Sequence, residues 1–311
     1  MTKKSFLGKS IVSIRDLTKE DLDTILEEAE RMESIVNSGK RPLEGKIMAA
    51  LFLEPSTRTR LSFEAAMHRL GGAVITVSNP KSSLAAKGES LSDTIRTIAN
   101  YCDIIAMRHP MEGSARLAAE FSSVPIINGG SGAEEHPTQA LLDLYTLKKE
   151  LKKVEGKRIA MVGDLKYGRT VHSLAYTLSK FKKVKIDFVS PPSLRIGEEI
   201  KSDLRDAGNE FTEGESLMEI VPTADAIYMT RIQMERFAQE SEYAKVKDAY
   251  VLNKKILEKA KGPIPILHPL PRINEIAYDV DDTVHAVYFR QMFNGVIVRM
   301  ALLNLILGGK V

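Results

Sequence analysis

The feature that most constrains the fold is an alternation of short, continuously apolar runs with segments of helical periodicity. In the first half of the chain the runs read IMAALFL, AVITV, DIIAM and VPIIN. Apolar residues at consecutive positions, instead of at every second one, are typical of strands covered on both faces. The segments between them have the apolar spacing of helices packed on one side. The alternation therefore predicts an α/β fold on a mostly parallel sheet.

The alternation restarts after a long helical segment that ends in the charged stretch KKELKKVEG. Beyond it lie the apolar runs RIAMVGD, KIDFVS, DAIYM and IPILHPL. A chain of 311 residues is also long for a single hydrophobic core. We therefore expect two α/β domains, over residues 1–150 and 151–290, each with a mostly parallel sheet flanked by helices.

Two helices can be predicted in more detail. Thr18 and Asp21 have the spacing of a capping box at the start of an amphipathic helix. The last helix is apolar on almost every side apart from Arg299 and Asn304, so it needs to be buried. We expect residues 291–311 to return to the first domain and pack there.

Charge and composition exclude several classes of partner. The 44 basic and 41 acidic residues leave a formal charge of +3 without long runs of one sign, which indicates neither a nucleic-acid nor a membrane surface. The single cysteine, Cys102, cannot form an internal disulfide, and no cysteine–histidine cluster has zinc-ligand spacing. The N-terminus lacks an apolar run of signal-peptide length. We expect a cytoplasmic protein that holds no metal.

The stretch LEPSTRTRLSFE places polar side chains where a buried strand is followed by an amphipathic helix. Ser56, Thr57, Arg58 and Thr59 fall at the helix start, where backbone amides lack partners and the helix dipole favours an anion. A serine there could simply be an N-cap. Clustered arginines repel each other, however, and a bound phosphate would offset that repulsion. The pattern predicts a phosphate site.

Further polar side chains lie at the same edge of the predicted sheet. Arg108 follows the strand DIIAM, at the carboxyl end where open α/β sheets bind ligands. His136 and Gln139 lie three residues apart at the start of a long helix. Alone, each is better explained by an ion pair or a helix cap. Together they indicate a site shared with residues 56–59.

Six motifs occur in order along nearly the whole chain: FLEPSTRTRLSFE, MRHP, HPTQALLDLYT, MVGDLKYGRTVHSL, MTRIQMERF and HPLPR. They resemble the motifs of the aspartate and ornithine carbamoyltransferase family, in the order found in its aspartate-using members. The resemblance implies transfer of the carbamoyl group of carbamoyl phosphate to L-aspartate, giving N-carbamoyl-L-aspartate and phosphate. It implies no metal and no organic cofactor.

The resemblance assigns carbamoyl phosphate to a set of binding residues: Ser56, Thr57, Arg58, Thr59, Ser83, Lys87, Arg108, His136, Gln139, Pro269 and Leu270. Within it, Thr59, Arg108 and His136 donate to the carbamoyl oxygen, and Gln139 contacts the carbamoyl amide. Attack by an amine puts negative charge on that oxygen, so fixed donors aimed at it lower the barrier. Arg58 and Lys87 complete the catalytic group that the resemblance implies.

The resemblance assigns L-aspartate to Lys87, Arg169, Arg231, Gln233, Leu270 and Pro271. It also implies that the Leu270–Pro271 bond is cis, which leaves the carbonyls of Pro269 and Leu270 to accept from the substrates' amide and amine. From the residues alone, two prolines within three positions indicate only a rigid turn.

The resemblance also implies an assembly. Ser83 and Lys87 match loop residues that enter the adjacent subunit's site, which makes a homotrimer with shared active sites the expected working unit. Glu54 matches a residue that pairs with arginines of the second domain, here Arg169 and Arg236, when the domains close. Relatives occur both as bare trimers and with separate zinc-bearing regulatory chains, so a regulatory partner stays open.

Alternatives to this function stay open. An ornithine-using relative shares the phosphate motif, but its cationic substrate suits Arg169 and Arg231 poorly, and its HCLP signature has cysteine in place of Pro269. Residues 163–170 read G-x-x-x-x-G-R-T, which is one residue away from a P-loop. A catalytically inactive relative should have lost Arg58, His136 or Lys87, and the chain keeps all of them.

Overall fold

The computed structural model describes residues 6–77, 88–237 and 239–310. The chain divides into two compact units. The first unit comprises Met1–Leu142 with Phe293–Val311, and the second comprises Asp143–Met292. Both units are α/β with a parallel sheet, as the sequence predicts. Among the described residues, no helix combines the length and the apolar character needed to cross a membrane.

The first unit contains a four-stranded parallel sheet in the order β2-β1-β3-β4. Its strands are β1 (Ile47–Phe52), β2 (Ala73–Val77), β3 (Ile104–His109) and β4 (Ile126–Ser131). Its helices are α1 (Lys19–Ile35), α2 (Thr57–Arg69), α3 (Leu91–Ala99) and α4 (Ser114–Phe121), together with the start of α5 (Pro137–Leu151). The capping box of Thr18 and Asp21 is confirmed at the start of α1.

The strands of this sheet differ in burial, and its two edge strands, β2 and β4, differ most. Strands β1 and β4 are almost completely buried, as their continuous apolar runs predict. The expectation that AVITV is covered on both faces is wrong, because Ala73, Ile75 and Thr76 of β2 are exposed. Among the described residues, strand β2 pairs with β1 alone, so it forms an edge of the sheet.

The second unit contains a five-stranded parallel sheet in the order β7-β6-β5-β8-β9. Its strands are β5 (Arg158–Val162), β6 (Lys185–Val189), β7 (Glu210–Gly214), β8 (Ala226–Met229) and β9 (Ile266–Leu267). Its α-helices are α6 (Arg169–Leu178), α7 (Glu198–Asp206), α8 (Leu217–Ile220), α9 (Glu240–Val246) and α10 (Lys254–Leu257). Short 3-10 helices span Pro192–Leu194, Met234–Arg236 and Tyr278–Val280.

The last helix, α11 (Tyr288–Leu307), belongs mostly to the first unit. Its apolar side chains from Ile297 onward are buried almost throughout. Its two polar exceptions are also buried and hydrogen-bonded: Asn304 donates to Glu28 Oε1 at 2.8 Å, and Arg299 donates to side chains of α2 and α5.

Candidate active site

The first part of the site is the turn between β1 and α2. Ser56 has the extended backbone of an N-cap, yet its side chain makes no capping hydrogen bond. Its Oγ instead lies 3.4 Å from Nη1 of Arg108, which donates to it. Thr57 and Arg58 are exposed at the start of the helix. The interpretation of Ser56 as an ordinary N-cap therefore fails, and these side chains surround the positive end of α2.

Arg108 reaches this turn because its strand lies beside β1. The sheet register pairs Arg108 of β3 with Phe52, the last residue of β1. The guanidinium also forms an ion pair with Glu54, with Nη2 2.7 Å from Oε1. Only 11% of the Arg108 side chain is exposed. The expectation that Arg108 lies close to residues 56–59 is therefore confirmed, and its role toward a ligand stays a prediction.

The family resemblance predicts that Glu54 pairs with arginines of the second unit. In the structure its carboxylate accepts from Arg108, a partner that the sequence analysis missed. This contact holds the Arg108 guanidinium beside Ser56. The pairing of Glu54 with Arg169 and Arg236 stays a prediction.

His136 and Thr59 meet at the same edge of the sheet. Thr59 Oγ1 lies 3.4 Å from His136 Nε2, and both residues are buried. His136 also caps α5, because its Nδ1 accepts the backbone N–H of Gln139 at 3.3 Å. A neutral imidazole that accepts at Nδ1 carries its proton on Nε2, so we assign the donor to that atom. The capping role and the site role are thus compatible.

The loop before His136 is held in place by a buried carboxylate, Glu135, which the sequence analysis missed. Glu135 accepts from Ser13 Oγ at 2.6 Å and from the backbone N–H of Ile14 at 2.7 Å. Burial raises the pKa of the Glu135 carboxyl group. The backbone N–H of Ser131 donates to the Glu135 carbonyl at 3.2 Å, which closes the loop. These contacts fix the backbone immediately before His136.

Two predicted site residues, Ser83 and Lys87, lie outside the described residues. Their predicted entry into a neighbouring subunit's site stays a prediction. Within the described stretches, no three His, Cys, Asp or Glu side chains are grouped as a metal site.

The second unit collects polar side chains at the carboxyl ends of β5 and β8. Arg231 lies just beyond β8 and forms a two-pronged contact with Glu235, with Nη1 3.0 Å from Oε2. The hydrogen bond from Arg231 lowers the pKa of Glu235. Gln233 Nε2 lies 3.4 Å from Asp164 Oδ2, which links the loops after the two strands. Arg169 is the first residue of α6, in the loop after β5.

The turn after β9 is held by a buried histidine. The Leu270–Pro271 peptide bond is cis, as the family resemblance implies, and Leu270 has a φ of 54° in the left-handed region. His268 Nδ1 accepts the backbone N–H of Leu270 at 2.7 Å, and Nε2 lies 2.6 Å from Glu275 Oε1. Burial lowers the pKa of His268. Among the described residues, no backbone N–H donates to the carbonyl of Pro269 or Leu270.

Two family profiles together cover most of the chain. The profile described as aspartate/ornithine carbamoyltransferase, carbamoyl-P binding domain, matches residues 9–149, and its Asp/Orn binding domain counterpart matches residues 155–306. The chain belongs to the aspartate/ornithine carbamoyltransferase family.

Individual members of this family are similar over nearly their full length. The aspartate carbamoyltransferase catalytic subunit of Thermococcus kodakarensis is 54% identical over 304 residues, which cover 97% of both chains. The catalytic subunit of M. jannaschii aspartate transcarbamoylase is 53% identical with a TM-score of 0.89, over 96% of this chain and 99% of that one. Trypanosoma cruzi aspartate transcarbamoylase, solved with carbamoyl aspartate and phosphate, is 38% identical with a TM-score of 0.91, over 97% of both chains.

Residues 163–170 of this family member have nearly the spacing of a P-loop, and the packing of the second unit explains their two glycines. A Cβ on Gly163 would lie 2.2 Å from the Thr230 carbonyl oxygen, and one on Gly168 would lie 2.4 Å from the Asp164 carbonyl oxygen. Gly163 also has a φ of 120°, which side chains rarely allow. Close contact between backbone segments of the second unit therefore explains why glycines occupy positions 163 and 168, and nucleotide binding is not required to explain them.

Proposed function

We propose that this chain transfers the carbamoyl group of carbamoyl phosphate to the amine of L-aspartate, giving N-carbamoyl-L-aspartate and phosphate. The observation that carries the proposal is the convergence of Ser56, Thr59, Arg108 and His136 at one edge of the first sheet. The substrates are supported by the T. cruzi relative, which was solved with carbamoyl phosphate and aspartate.

The phosphate of carbamoyl phosphate would bind at the start of α2. The backbone N–H groups of the first turn lack helical partners, and the dipole of a 13-residue helix favours an anion there. The Ser56 hydroxyl group, which does not cap the helix, can serve the phosphate instead. Thr57 supplies a second hydroxyl group, and Arg58 supplies an exposed guanidinium group that can donate to two phosphate oxygens.

The carbamoyl oxygen would be bound by Thr59, Arg108 and His136. As the aspartate nitrogen attacks, the new C–N bond forms and negative charge develops on this oxygen. The bond from carbon to the bridging phosphate oxygen then breaks, and the departing phosphate takes up the amine proton. His136 serves as a donor through Nε2 and keeps its proton throughout. Gln139 would contact the carbamoyl amide.

Aspartate would be bound by residues of the second unit. Arg169 and Arg231 are cations suited to its two carboxylates, and Gln233 supplies amide hydrogen bonds. The Glu235 carboxylate orients the Arg231 guanidinium group by accepting two hydrogen bonds from it. The Pro269 and Leu270 carbonyls would accept from the substrates' N–H groups. Ornithine, which carries a cationic side chain in place of the second carboxylate, is disfavoured by the two arginines.

The substrate assignment is tested by phosphate release from carbamoyl phosphate, with aspartate or ornithine as the acceptor. We expect turnover with aspartate only. Arg231→Ala should raise the KM for aspartate about tenfold or more, because the charge-assisted hydrogen bonds from the guanidinium group to a substrate carboxylate are lost. The matched control is Arg195→Ala, which removes an exposed arginine of the same unit that pairs with Glu215. Turnover with ornithine, or an unchanged aspartate KM in Arg231→Ala, would contradict the assignment.

We further propose that the working unit is a cytoplasmic homotrimer in which Ser83 and Lys87 serve the adjacent subunit's site. Mixing Lys87→Ala chains with Arg58→Ala chains should then restore activity, because some sites in mixed trimers combine two intact contributions. Mixed trimers that stay inactive would show that each subunit works alone. The name of the relatives, catalytic subunit, supports a search for a separate regulatory chain.

A further inference from the structure

The mechanism proposed above gives no role to a buried cation of the first unit, Arg299. Arg299, in the middle of α11, is only 2% exposed. Its guanidinium donates through Nη1 to Ser62 Oγ and through Nη2 to Thr138 Oγ1, both at 3.1 Å. It also lies 4.9 Å from the centre of the Phe63 ring. The arginine of the C-terminal helix therefore bridges two other helices, α2 and α5.

The two bridged residues lie directly behind the candidate site. Ser62 is three residues after Thr59, so the two share one side of α2. Thr138 is the second residue of α5 and follows His136 by two positions. Thr59 and His136 are themselves separated by 3.4 Å between Oγ1 and Nε2. The Arg299 guanidinium group thus fixes the distance between the segments of α2 and α5 that carry Thr59 and His136.

The bridge places a buried positive charge behind the start of α5, where the helix dipole is positive too. The chain also keeps a glycine inside α11 to accommodate it. A Cβ on Gly295 would lie 2.7 Å from Arg299 Nη1, and glycine in a helix interior destabilises the helix relative to alanine.

We propose that Arg299 is a positioning residue for carbamoyl phosphate. Its guanidinium ties the second turn of α2 to the first turn of α5, and its charge adds to the positive potential at the starts of these helices. The proposal rests on the function proposed above for the same site. It explains why a helix that is otherwise apolar carries a buried arginine.

The test compares Arg299→Met with a control variant in the same helix. Methionine keeps the apolar stem and removes the fork and the charge. Asn304→Ala also removes a buried polar contact of α11, to Glu28, which the proposal places outside the site. We expect Arg299→Met to raise the Kd for inorganic phosphate and the KM for carbamoyl phosphate about tenfold, with the aspartate KM nearly unchanged. Asn304→Ala should lower the melting temperature and leave both constants at the wild-type value.

Wild-type phosphate affinity in Arg299→Met, or an equal loss in Asn304→Ala, would overturn the inference. If Arg299→Met does not fold, the double variant Ser62→Ala, Thr138→Val removes both hydroxyl acceptors and should weaken phosphate binding with Arg299 in place. Unchanged phosphate affinity in that variant would also overturn it. Phosphate affinity is measured by calorimetry, independently of turnover. An inactive wild type would therefore contradict the proposed function, while the affinities would still decide the role of Arg299.

Discussion

At the scale of single residues, the proposed chemistry depends on which nitrogen of His136 carries the proton. The backbone N–H of Gln139 donates to Nδ1, so the ring can donate only through Nε2, the atom nearest Thr59. A helix cap thus favours the tautomer of His136 that carries its proton on Nε2. In the mechanism proposed above, this tautomer would donate to the carbamoyl oxygen.

His136→Ala should therefore lower kcat about a hundredfold, since removing one fixed donor to a developing oxyanion typically costs that much. Phosphate release at saturating aspartate measures the effect. His68→Ala, in the exposed part of the same unit, is the control and should keep wild-type kcat. A kcat for His136→Ala within about twofold of wild type would remove His136 from the site.

The ion pair between Arg272 and Asp281 makes the stability of the second unit depend on pH. Arg272 donates to both carboxylate oxygens of Asp281, and these hydrogen bonds hold the pKa of Asp281 below its usual value. An acid with a depressed pKa stabilises the fold above its unfolded pKa of about 3.9, and this contribution is lost as the pH falls through the folded pKa.

Asp281→Asn should then reduce the free energy of unfolding by about 1 kcal/mol at pH 7, a modest amount because the pair is partly solvated. The difference from wild type should shrink toward pH 3. Urea titrations across this pH range measure it, with Asp282→Asn as the exposed neighbouring control. A difference that stays constant with pH would contradict the assigned cause.

At the scale of elements, local signals in the sequence predict helix starts well. The capping box of α1 forms as its spacing indicates: Thr18 accepts from the Asp21 backbone, and the Asp21 carboxylate accepts from the Thr18 backbone. The start of α2 departs from the same rule. Ser56 occupies the N-cap position without capping, because its hydroxyl group lies beside Arg108. The departure occurs at the candidate site, where function competes with helix stability.

Thr18→Ala should cost about 1 kcal/mol of unfolding free energy, as the loss of an N-cap usually does. Thr24→Ala is the control in the same helix, because its exposed hydroxyl group donates to the Glu20 carbonyl one turn earlier and does not cap the helix. Thermal and urea unfolding measure both variants. Equal stability of the two variants would mean that the capping box contributes nothing to the fold.

The sequence analysis errs at two of the edge strands: it misses β7, and it predicts β2 as a strand but not its exposure. The polar segment EFTEG forms β7, which the sequence analysis missed, and the apolar segment AVITV forms the exposed strand β2. A continuous apolar run in the sequence indicates a buried strand. A strand at the edge of a sheet is paired on one side only and can be exposed, so its sequence need not be apolar. The central strands are buried, and their apolar runs predicted them correctly.

At the scale of the whole molecule, the sequence predicts the fold class and the edge of the first sheet where its candidate residues lie. It does not predict how those residues are supported. Glu54 is 54 residues from Arg108, and Glu135 is 121 residues from Ile14, so only the folded chain reveals these contacts. The pairing of Arg231 with Glu235 spans four residues and could have been noticed in the motif MTRIQMERF.

The central claim is carbamoyl transfer to aspartate, and one measurement tests it most directly. The chain is incubated with carbon-13-labelled carbamoyl phosphate and an equimolar mixture of L-aspartate and L-ornithine, and the products are identified by carbon-13 NMR. The account predicts that the label appears in N-carbamoyl-L-aspartate in step with phosphate release. Label found in citrulline, or only in the spontaneous breakdown products of carbamoyl phosphate, would contradict it.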